Sequence, residues 1–443
     1  MKLLTFKHGV HPAEHKERTA AKAIEELPLP DEVFIPLQQH IGAPCQALVD
    51  KKDEVKTGQI IGKAGGFVSS PVHSSVTGTV KGVGMFFNNM GIRVPMVHIT
   101  RSGDDDWEYL AKPDNWETAS VEDLSKLVLD AGVVGMGGAA FPTHVKLRVS
   151  PEKPIDTLIL NGCECEPYLT CDHRIMLEKT DRMLLGMAIT MKILGVNKGA
   201  IGIEHNKMDA IELVQERVKA NGYDFQVVPL KVKYPQGAEK MLIKAVLNRN
   251  VPASGGLPGD VGVIVSNVGT AHAVMEAVIE GKPLINRVIT VTGDAVKQPK
   301  NIQARIGTPV KSAVDFCGGL DDDTAQLIMG GPMMGISQFN LDVPIMKATS
   351  GVVGTCQVKE SKLKSYPCIR CNSCVSACPM HLLPNRLSRL VEVDNFEEAD
   401  KFGVLNCFEC GSCVYVCPSH IPILQWIRVG KFRVNALKRK AAG

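Results

Sequence analysis

Residues 368–379 read Cys368-Ile-Arg-Cys371-Asn-Ser-Cys374-Val-Ser-Ala-Cys378-Pro379, and residues 407–418 repeat the spacing as Cys407-Phe-Glu-Cys410-Gly-Ser-Cys413-Val-Tyr-Val-Cys417-Pro418. Two such runs are the ligand spacing of a pair of [4Fe-4S] clusters, each held by three cysteines of one run and the last cysteine of the other. That rule assigns Cys368, Cys371, Cys374 and Cys417 to one cluster and Cys407, Cys410, Cys413 and Cys378 to its neighbour. Structural zinc needs four thiolates at a tetrahedral point and has no use for the third Cys-x2 step or the Cys-Pro ending. Fourteen cysteines in 443 residues are too dilute for a disulfide framework, and residues 1–10 lack an apolar core of signal-peptide length. The other six, Cys45, Cys163, Cys165, Cys171, Cys317 and Cys356, fall at irregular spacings that suit a reducing cytoplasm.

Working outward, the chain has room for two to four domains. Its apolar and charged fractions, 44% and 22%, are those of an ordinary soluble protein, and a net charge of +3 argues against a nucleic-acid partner. Arg428, Lys431, Arg433, Lys438, Arg439 and Lys440 follow the clusters without one acidic residue. Interleaved with Trp426, Ile427, Val429, Phe432, Val434 and Leu437, they read as a basic amphipathic helix. It is either a solvated end or a dock for an anionic membrane surface or an acidic partner. The longest apolar candidate, 261–279, is broken by Ser266, Asn267, His272 and Glu276, so any membrane association is expected to be peripheral.

The expected fold class is multidomain α/β and α+β. Residues 1–110 are read as a barrel-sandwich β domain, from short strands such as 46–49, 59–62 and 76–80 separated by glycines. Its turn phrases 55–60 and 71–80 resemble those of biotinyl/lipoyl-type domains. The carrier lysine motif at the tip is missing and only Lys63 lies near, which makes this unit structural. Helix and strand then alternate through 115–283: helices at 121–131, 182–194, 208–220 and 238–247, and strands at 157–160, 200–203, 226–231 and 261–265. This is the pattern of a parallel sheet with helices on it. A small β-grasp-like module is expected at 284–345, with strands 287–292 and 325–329 and a helix near 310–316. The two-cluster helical domain follows at 356–430, with a linking helix around 386–393, and then a basic tail at 431–443.

Two loops in the α/β region carry further chemistry. In Gly135-Met-Gly-Gly-Ala-Ala-Phe-Pro-Thr-His-Val-Lys146 the glycines at 135, 137 and 138 let backbone approach a phosphate or ring closely. The spacing is neither a Rossmann fingerprint nor a P-loop. Asn161-Gly-Cys-Glu-Cys-Glu-Pro167 follows a buried strand, so an acidic loop sits at a strand's carboxyl end, where open α/β sheets bind ligands. Cys163, Cys165 and Cys171 have no matching second pair for a metal there.

The glycine loop resembles the Gly-Arg-Gly-Gly-Ala-Gly-Phe-Pro-Thr-Gly-x-Lys loop of the FMN- and NADH-binding flavoprotein subunit of complex I. Residues 161–167 resemble that family's Asn-Ala-Asp-Glu-x-Glu-Pro, Tyr234-x2-Gly237-Ala-Glu239 its Tyr-x-x-Gly-Glu-Glu, and Asn267-Val-Gly-Thr270 its Asn-Val-Glu-Thr. With the first domain, the phrases Gly9-Val-His-Pro12 and Gly330-Gly-Pro-Met-Met-Gly335, and the two-cluster module, nearly the whole chain resembles the C subunits of Rnf ion-translocating electron-transport complexes. The resemblance implies that Gly135, Gly137, Gly138, Lys146, Asn161, Tyr234, Glu239, Asn267 and Thr270 line FMN. It implies that Phe141 stacks near the nicotinamide or adenine and that Glu164 and Glu166 bind NADH. It departs at Cys163, where the family has aspartate, and around Thr170-Cys-Asp-His-Arg174, where the family lysine is missing.

The implied function is a peripheral subunit on the cytoplasmic face of the cell membrane. It would pass electrons between NAD(H), FMN and two [4Fe-4S] clusters, toward or from ferredoxin, with integral-membrane and iron-sulfur subunits as partners. Hydride transfer needs no general acid or base, so no catalytic side chain is nominated. The alternative is an iron-sulfur carrier or scaffold subunit without flavin.

Overall fold

The computed structural model describes residues 3–253, 255–356 and 364–442, so 357–363, at the start of the expected cluster module, lie outside the described residues. Strands β1 (Ile24–Glu26), β2 (Glu32–Pro36), β3 (Gln46–Ala47), β4 (Glu54–Val55), β5 (Ile60–Lys63), β6 (Val72–His73), β7 (Gly78–Phe87) and β8 (Arg93–Arg101) come first. All but β1 form two small antiparallel sheets, β2-β8-β7-β4 and β3-β5-β6, whose inward residues Val33, Ile35, Ile61, Val72, Val97 and Ile99 make one core. Lys63 ends β5 opposite Gln46, on a paired strand.

The α/β region opens with α1 (Val121–Asp130) and α2 (Thr143–Lys146). Strands β9 (Thr157–Gly162), β10 (Lys198–Glu204), β11 (Phe225–Leu230) and β12 (Val263–Asn267) then alternate with α3 (Cys171–Glu178), α4 (Thr180–Leu194), α5 (Met208–Ala220) and α6 (Glu239–Leu247), and α7 (Val268–Met275) follows. The strands are all parallel in the order β11-β10-β9-β12. The order in which strands are added therefore reverses between β9 and β12, which opens a crevice at their carboxyl ends. Leu158, Ile159 and Leu160 of β9 are wholly buried, as a strand covered on both faces requires. Gly186 in the middle of α4 is explained by α7: a Cβ there would lie 1.8 Å from the Ala271 carbonyl oxygen, so the two helices touch backbone to backbone.

Strands β13 (Asn286–Thr292), β14 (Lys300–Arg305), β15 (Thr324–Met329), β16 (Ile336–Gln338) and β17 (Gly351–Cys356), with α8 (Val310–Phe316), build the third unit. Its sheet runs β1-β14-β13-β17-β15-β16. It takes one edge strand from the beginning of the chain and reaches Cys356, beyond the bound at 345 read from the sequence. The last unit is helical: α9 (Ser373–Ala377), α10 (Pro384–Glu392), α11 (Phe396–Lys401), α12 (Ser412–Tyr415) and α13 (Ile423–Ala442) enclose Leu387, Val391, Val404 and Ile427. Helix α13 runs unbroken through the division expected at 430, so the basic tail is part of the cluster unit.

Of the residues before β2, grouped by the sequence reading with the barrel-sandwich strands, Pro30 and Asp31 accept from Arg101 of β8, while residues 3–27 bond to the other units. These form a strap across the other three units. Leu4 bridges to Leu230 at the edge of the parallel sheet, Val10 bridges to Tyr234, and the Gly9 amide donates to the Ala377 carbonyl in the cluster unit (3.1 Å). Arg18 reaches the carbonyls of Gly293 and Val296, and β1 then pairs in parallel with β14. A second pin is the buried ammonium of Lys347, which donates to Pro71 O of the β domain (2.8 Å) and Gly132 O of the α/β domain (2.6 Å). Among the described residues no helix is long and apolar enough to cross a membrane.

Candidate functional site

Asn161 and Asn267 are register partners at the carboxyl ends of β9 and β12, one on each side of the crevice. Asn161 donates to Gly237 O (2.8 Å) and accepts from the Cys163 amide (3.2 Å), holding the acidic loop and residue 237 together. Asn267 caps α7 by accepting from the Gly269 amide (2.8 Å), and its Nδ2 donates to Asp172 (2.7 Å). The glycine loop is closed by the Gly135 amide on Phe141 O (2.9 Å) and tied to α7 by the Met136 amide on Thr270 Oγ1 (2.9 Å). Residues 137–139 are exposed, and Phe141 is half-buried where the loop returns. A Cβ at Gly137 would come within 2.9 Å of Asn267 Nδ2, whereas the space at Gly138 is open. Lys146 and Glu239 form an ion pair (2.7 Å).

Both expected glutamates are partly engaged by backbone. Glu164 accepts from the amides of Asp172 (2.7 Å) and His173 (3.2 Å) at the start of α3, which takes one bond at each oxygen it was expected to offer to NADH. A carboxylate oxygen accepts two bonds, so each retains a lone pair. Glu166 accepts from the Met333 amide (3.1 Å) and lies 3.4 Å from the Tyr234 hydroxyl, and removal from water pushes its carboxyl up to about 7. Tyr234, only 1% exposed, donates to the Cys410 carbonyl oxygen at 2.7 Å. Cys165, Met333 and Cys410 pack with it. The acidic loop therefore touches the second cysteine run.

Sequence reasoning missed the cations that hold this loop. The Lys16 ammonium, on the strap, donates to the carbonyls of Glu164 (2.9 Å), Glu166 (2.9 Å) and Leu169, which uses all three of its protons. Lys207, 1% exposed, donates to Cys163 O (2.7 Å). Arg287 of β13, 2% exposed, reaches into the α/β unit and donates to Met136 O (3.0 Å) in the glycine loop. Burial and then the Glu164 charge raise the Asp172 carboxyl, while Arg287 pulls it down. No local sequence pattern marks Lys16 or Arg287, since their partners lie far along the chain. Cys163, Cys165 and Cys171 do not converge: Cys165 accepts from the Gly237 amide, Cys163 faces Gly202 O, and Cys171 lies with Glu164 and Asp172.

The crevice fits an anionic, hydrogen-bonding group. Open space at Gly138, the amino end of α7, and buried Arg287 Nε and Thr143 Oγ1 without partners among the described residues provide donors around the glycine loop.

The cysteine runs fold alike. Left-handed residues recur at equal offsets, Arg370 with Glu409, Asn372 with Gly411 and His381 with His420, so each run wraps a centre in the same way. Burial lifts the Cys407 thiol to about 11, with Cys410 and Cys378 adding to the rise. Cys413 is raised by burial and then by Cys407, Cys410 and Cys378, and Cys374, raised first by burial, feels Cys417. Thiolates that repel one another across two shared centres are the donor set of a metal cluster, which neutralises them. Amides of Arg370, Glu409 and Leu382 point at Cys368, Cys407 and Cys378 sulfurs at 3.4 Å, the hydrogen bonding that adjusts cluster potential.

Residues 128–276 match the model of the Nuo51 FMN-binding domain, 4–104 the RnfC barrel sandwich hybrid domain, 288–337 the SLBB domain and 367–421 a 4Fe-4S dicluster domain. The chain is thus a flavo-iron-sulfur electron-transfer protein, with FMN and two [4Fe-4S] clusters as cofactors. The C subunit of the proton-translocating ferredoxin:NAD(+) oxidoreductase complex of Clostridium ljungdahlii is 50% identical over 96% of this chain and 93% of its own length. The Na(+)-translocating counterpart of Acetobacterium woodii is 46% identical over 98% of both, and the C subunit of the ion-translocating oxidoreductase complex of Rhodobacter capsulatus 41% over 97% of this chain and 83% of its own. The chain belongs to this family of C subunits. In fold it is also similar to a chain of an H2-reduced NAD+-reducing [NiFe]-hydrogenase, with a TM-score of 0.51 at 17% identity over 73% of this chain and 62% of that one.

Proposed function

We propose that this chain is the NADH-binding flavo-iron-sulfur subunit of a membrane-bound, ion-translocating ferredoxin:NAD oxidoreductase, peripheral on the cytoplasmic face and joined to integral-membrane and iron-sulfur subunits. The observation that carries the reading is Tyr234, which packs with Cys165 of the acidic loop and puts its hydroxyl on Cys410 O, so that the sheet's switch point adjoins a cysteine run.

FMN held in this crevice would supply the exchange between the two electrons of a hydride and the single electrons that iron-sulfur centres carry. Around FMN, Gly135, Gly137 and Gly138 give the ligand access to backbone, and the Lys146–Glu239 pair and Asn161 border the crevice opposite Asn267 and Thr270. Phe141, half-buried where the loop returns, offers a ring for stacking near the nicotinamide or adenine. Glu166, with a carboxyl held near neutral pH, and Glu164 accept from ligand hydroxyls or amide. Cys378, Cys407, Cys410 and Cys413 hold the cluster on the flavin side. Cys368, Cys371, Cys374 and Cys417 hold the other, where Cys368 and Cys371 are exposed.

The test is iron, sulfide and FMN content of anaerobically purified protein, with absorbance followed on adding NADH. About eight irons and one flavin per chain, bleached by NADH, are expected. Iron without flavin would replace this reading with that of an electron carrier.

A further inference from the structure

Helix α13 has two faces. Ile423, Leu424, Ile427 and Val434 are buried against the cluster unit. On the opposite face, at helical spacing, lie Val429, Phe432, Arg433, Ala436 and Lys440, with Val429 43% and Phe432 65% exposed. No acidic residue occurs after Glu409. Three of the helix's six cations are neutralised within the unit: Arg428 and Lys431 by Glu409 (2.9 and 2.5 Å) and Lys438 by Asp400 (2.8 Å). Arg433, Arg439 and Lys440 have no carboxylate partner among the described residues.

We propose that this outward face of α13 lies on an anionic lipid surface, with Phe432 and Val429 in the headgroup boundary and Arg433, Arg439 and Lys440 against lipid phosphates. Charge selects the occupant, since three uncompensated cations and no acid demand an anionic surface. The mixing of residue types selects lipid over protein. A protein interface gathers apolar residues into a core inside a polar rim. Here an exposed phenylalanine and valine are interspersed with cations along one stripe, as in a helix lying in the plane of a membrane interface. At about 1.5 Å per residue, the twenty-residue helix offers roughly 30 Å of such contact. With no membrane-crossing helix among the described residues, the face gives the protein a direct hold on the bilayer beside its contacts with partner subunits.

The experiment is co-sedimentation of the iron-loaded full chain with vesicles of phosphatidylcholine, with and without phosphatidylglycerol. Phosphatidylglycerol is expected to raise the bound fraction at least about tenfold, reversed by high salt. Arg433→Glu with Lys440→Glu, and separately Phe432→Asp, should each abolish the gain while iron content and cluster EPR stay unchanged. If a charge reversal costs iron, Arg433→Gln with Lys440→Gln serves in its place. Absence of lipid-dependent sedimentation overturns the proposal, as does sedimentation indifferent to these variants. Salt-sensitive binding to partner subunits without vesicle binding would assign the face to an acidic protein. None of these outcomes depends on bound flavin or NADH.

Discussion

The hydroxyl of Tyr234 lies 2.7 Å from the backbone carbonyl oxygen of Cys410, in a pocket of apolar and sulfur-bearing side chains. A residue expected from the sequence to line a flavin thus ends on the peptide of a cluster ligand. Tyr234→Phe keeps the ring and removes the bond. The expected cost is about 1 kcal/mol of stability, with iron and flavin retained and a changed EPR signal from one cluster. Two unchanged cluster spectra would show that the bond is only structural.

Cysteine replacements test the interleaving. Cys378→Ser should remove the same EPR signal as Cys410→Ser, although 378 and 410 belong to different runs, and Cys417→Ser the same signal as Cys374→Ser. Each should leave about four irons. If Cys378→Ser instead matched Cys374→Ser, each run would bind its own cluster.

Lys16→Met leaves the part-buried carbonyls of Glu164 and Glu166 and the buried carbonyl of Leu169 without this donor. Leaving such carbonyls unsatisfied costs on the order of 1–3 kcal/mol each. Urea unfolding should shift accordingly, with loss of flavin before loss of iron. A shift below about 1 kcal/mol would mean that water replaces the ammonium.

Arg287→Lys preserves the charge but not the guanidinium fork that reaches Met136 O. FMN affinity, titrated by fluorescence quenching, should fall about tenfold, the loss of roughly 1.4 kcal/mol. Equal affinity would show that the glycine loop holds its shape without this bond.

Burial pushes the Lys347 ammonium down from 10.5 to about 7. Between these values the unfolded chain binds the proton that the folded chain has released, so stability rises with pH across that window, at up to about 1.4 kcal/mol per unit. Urea midpoints at neutral and alkaline pH measure the slope, and Lys347→Met should flatten it. A wild-type profile already flat would show that Lys347 stays charged through its carbonyl contacts.

What the sequence revealed follows its local signals. Helices α5 and α8 appear at the bounds their apolar periodicity predicts, and the parallel order follows from alternation. Helix α7 escaped notice because every residue from Val268 to Met275 is buried, which leaves no polar stripe to mark a period. Strand β1 has three residues and pairs with the distant β14, and β17 pairs with β13 and β15 across intervening segments, so neither carries a local signal. At the site, the asparagines and glutamates stood out as motif residues. The cations that fix them did not, because Lys16 and Arg287 look like solvent-facing residues until the chain is closed.

The strap has a consequence for synthesis. It leaves the ribosome before every surface that it will cover: Leu230, Tyr234, the sheet edge at β14 and, last, Ala377. A nascent chain therefore cannot finish seating its beginning until the first cysteine run has emerged, because the Gly9 amide waits for Ala377. A chain interrupted before Ala377 could fasten Lys16 to the acidic loop but would leave the Gly9 amide without its partner in the cluster unit.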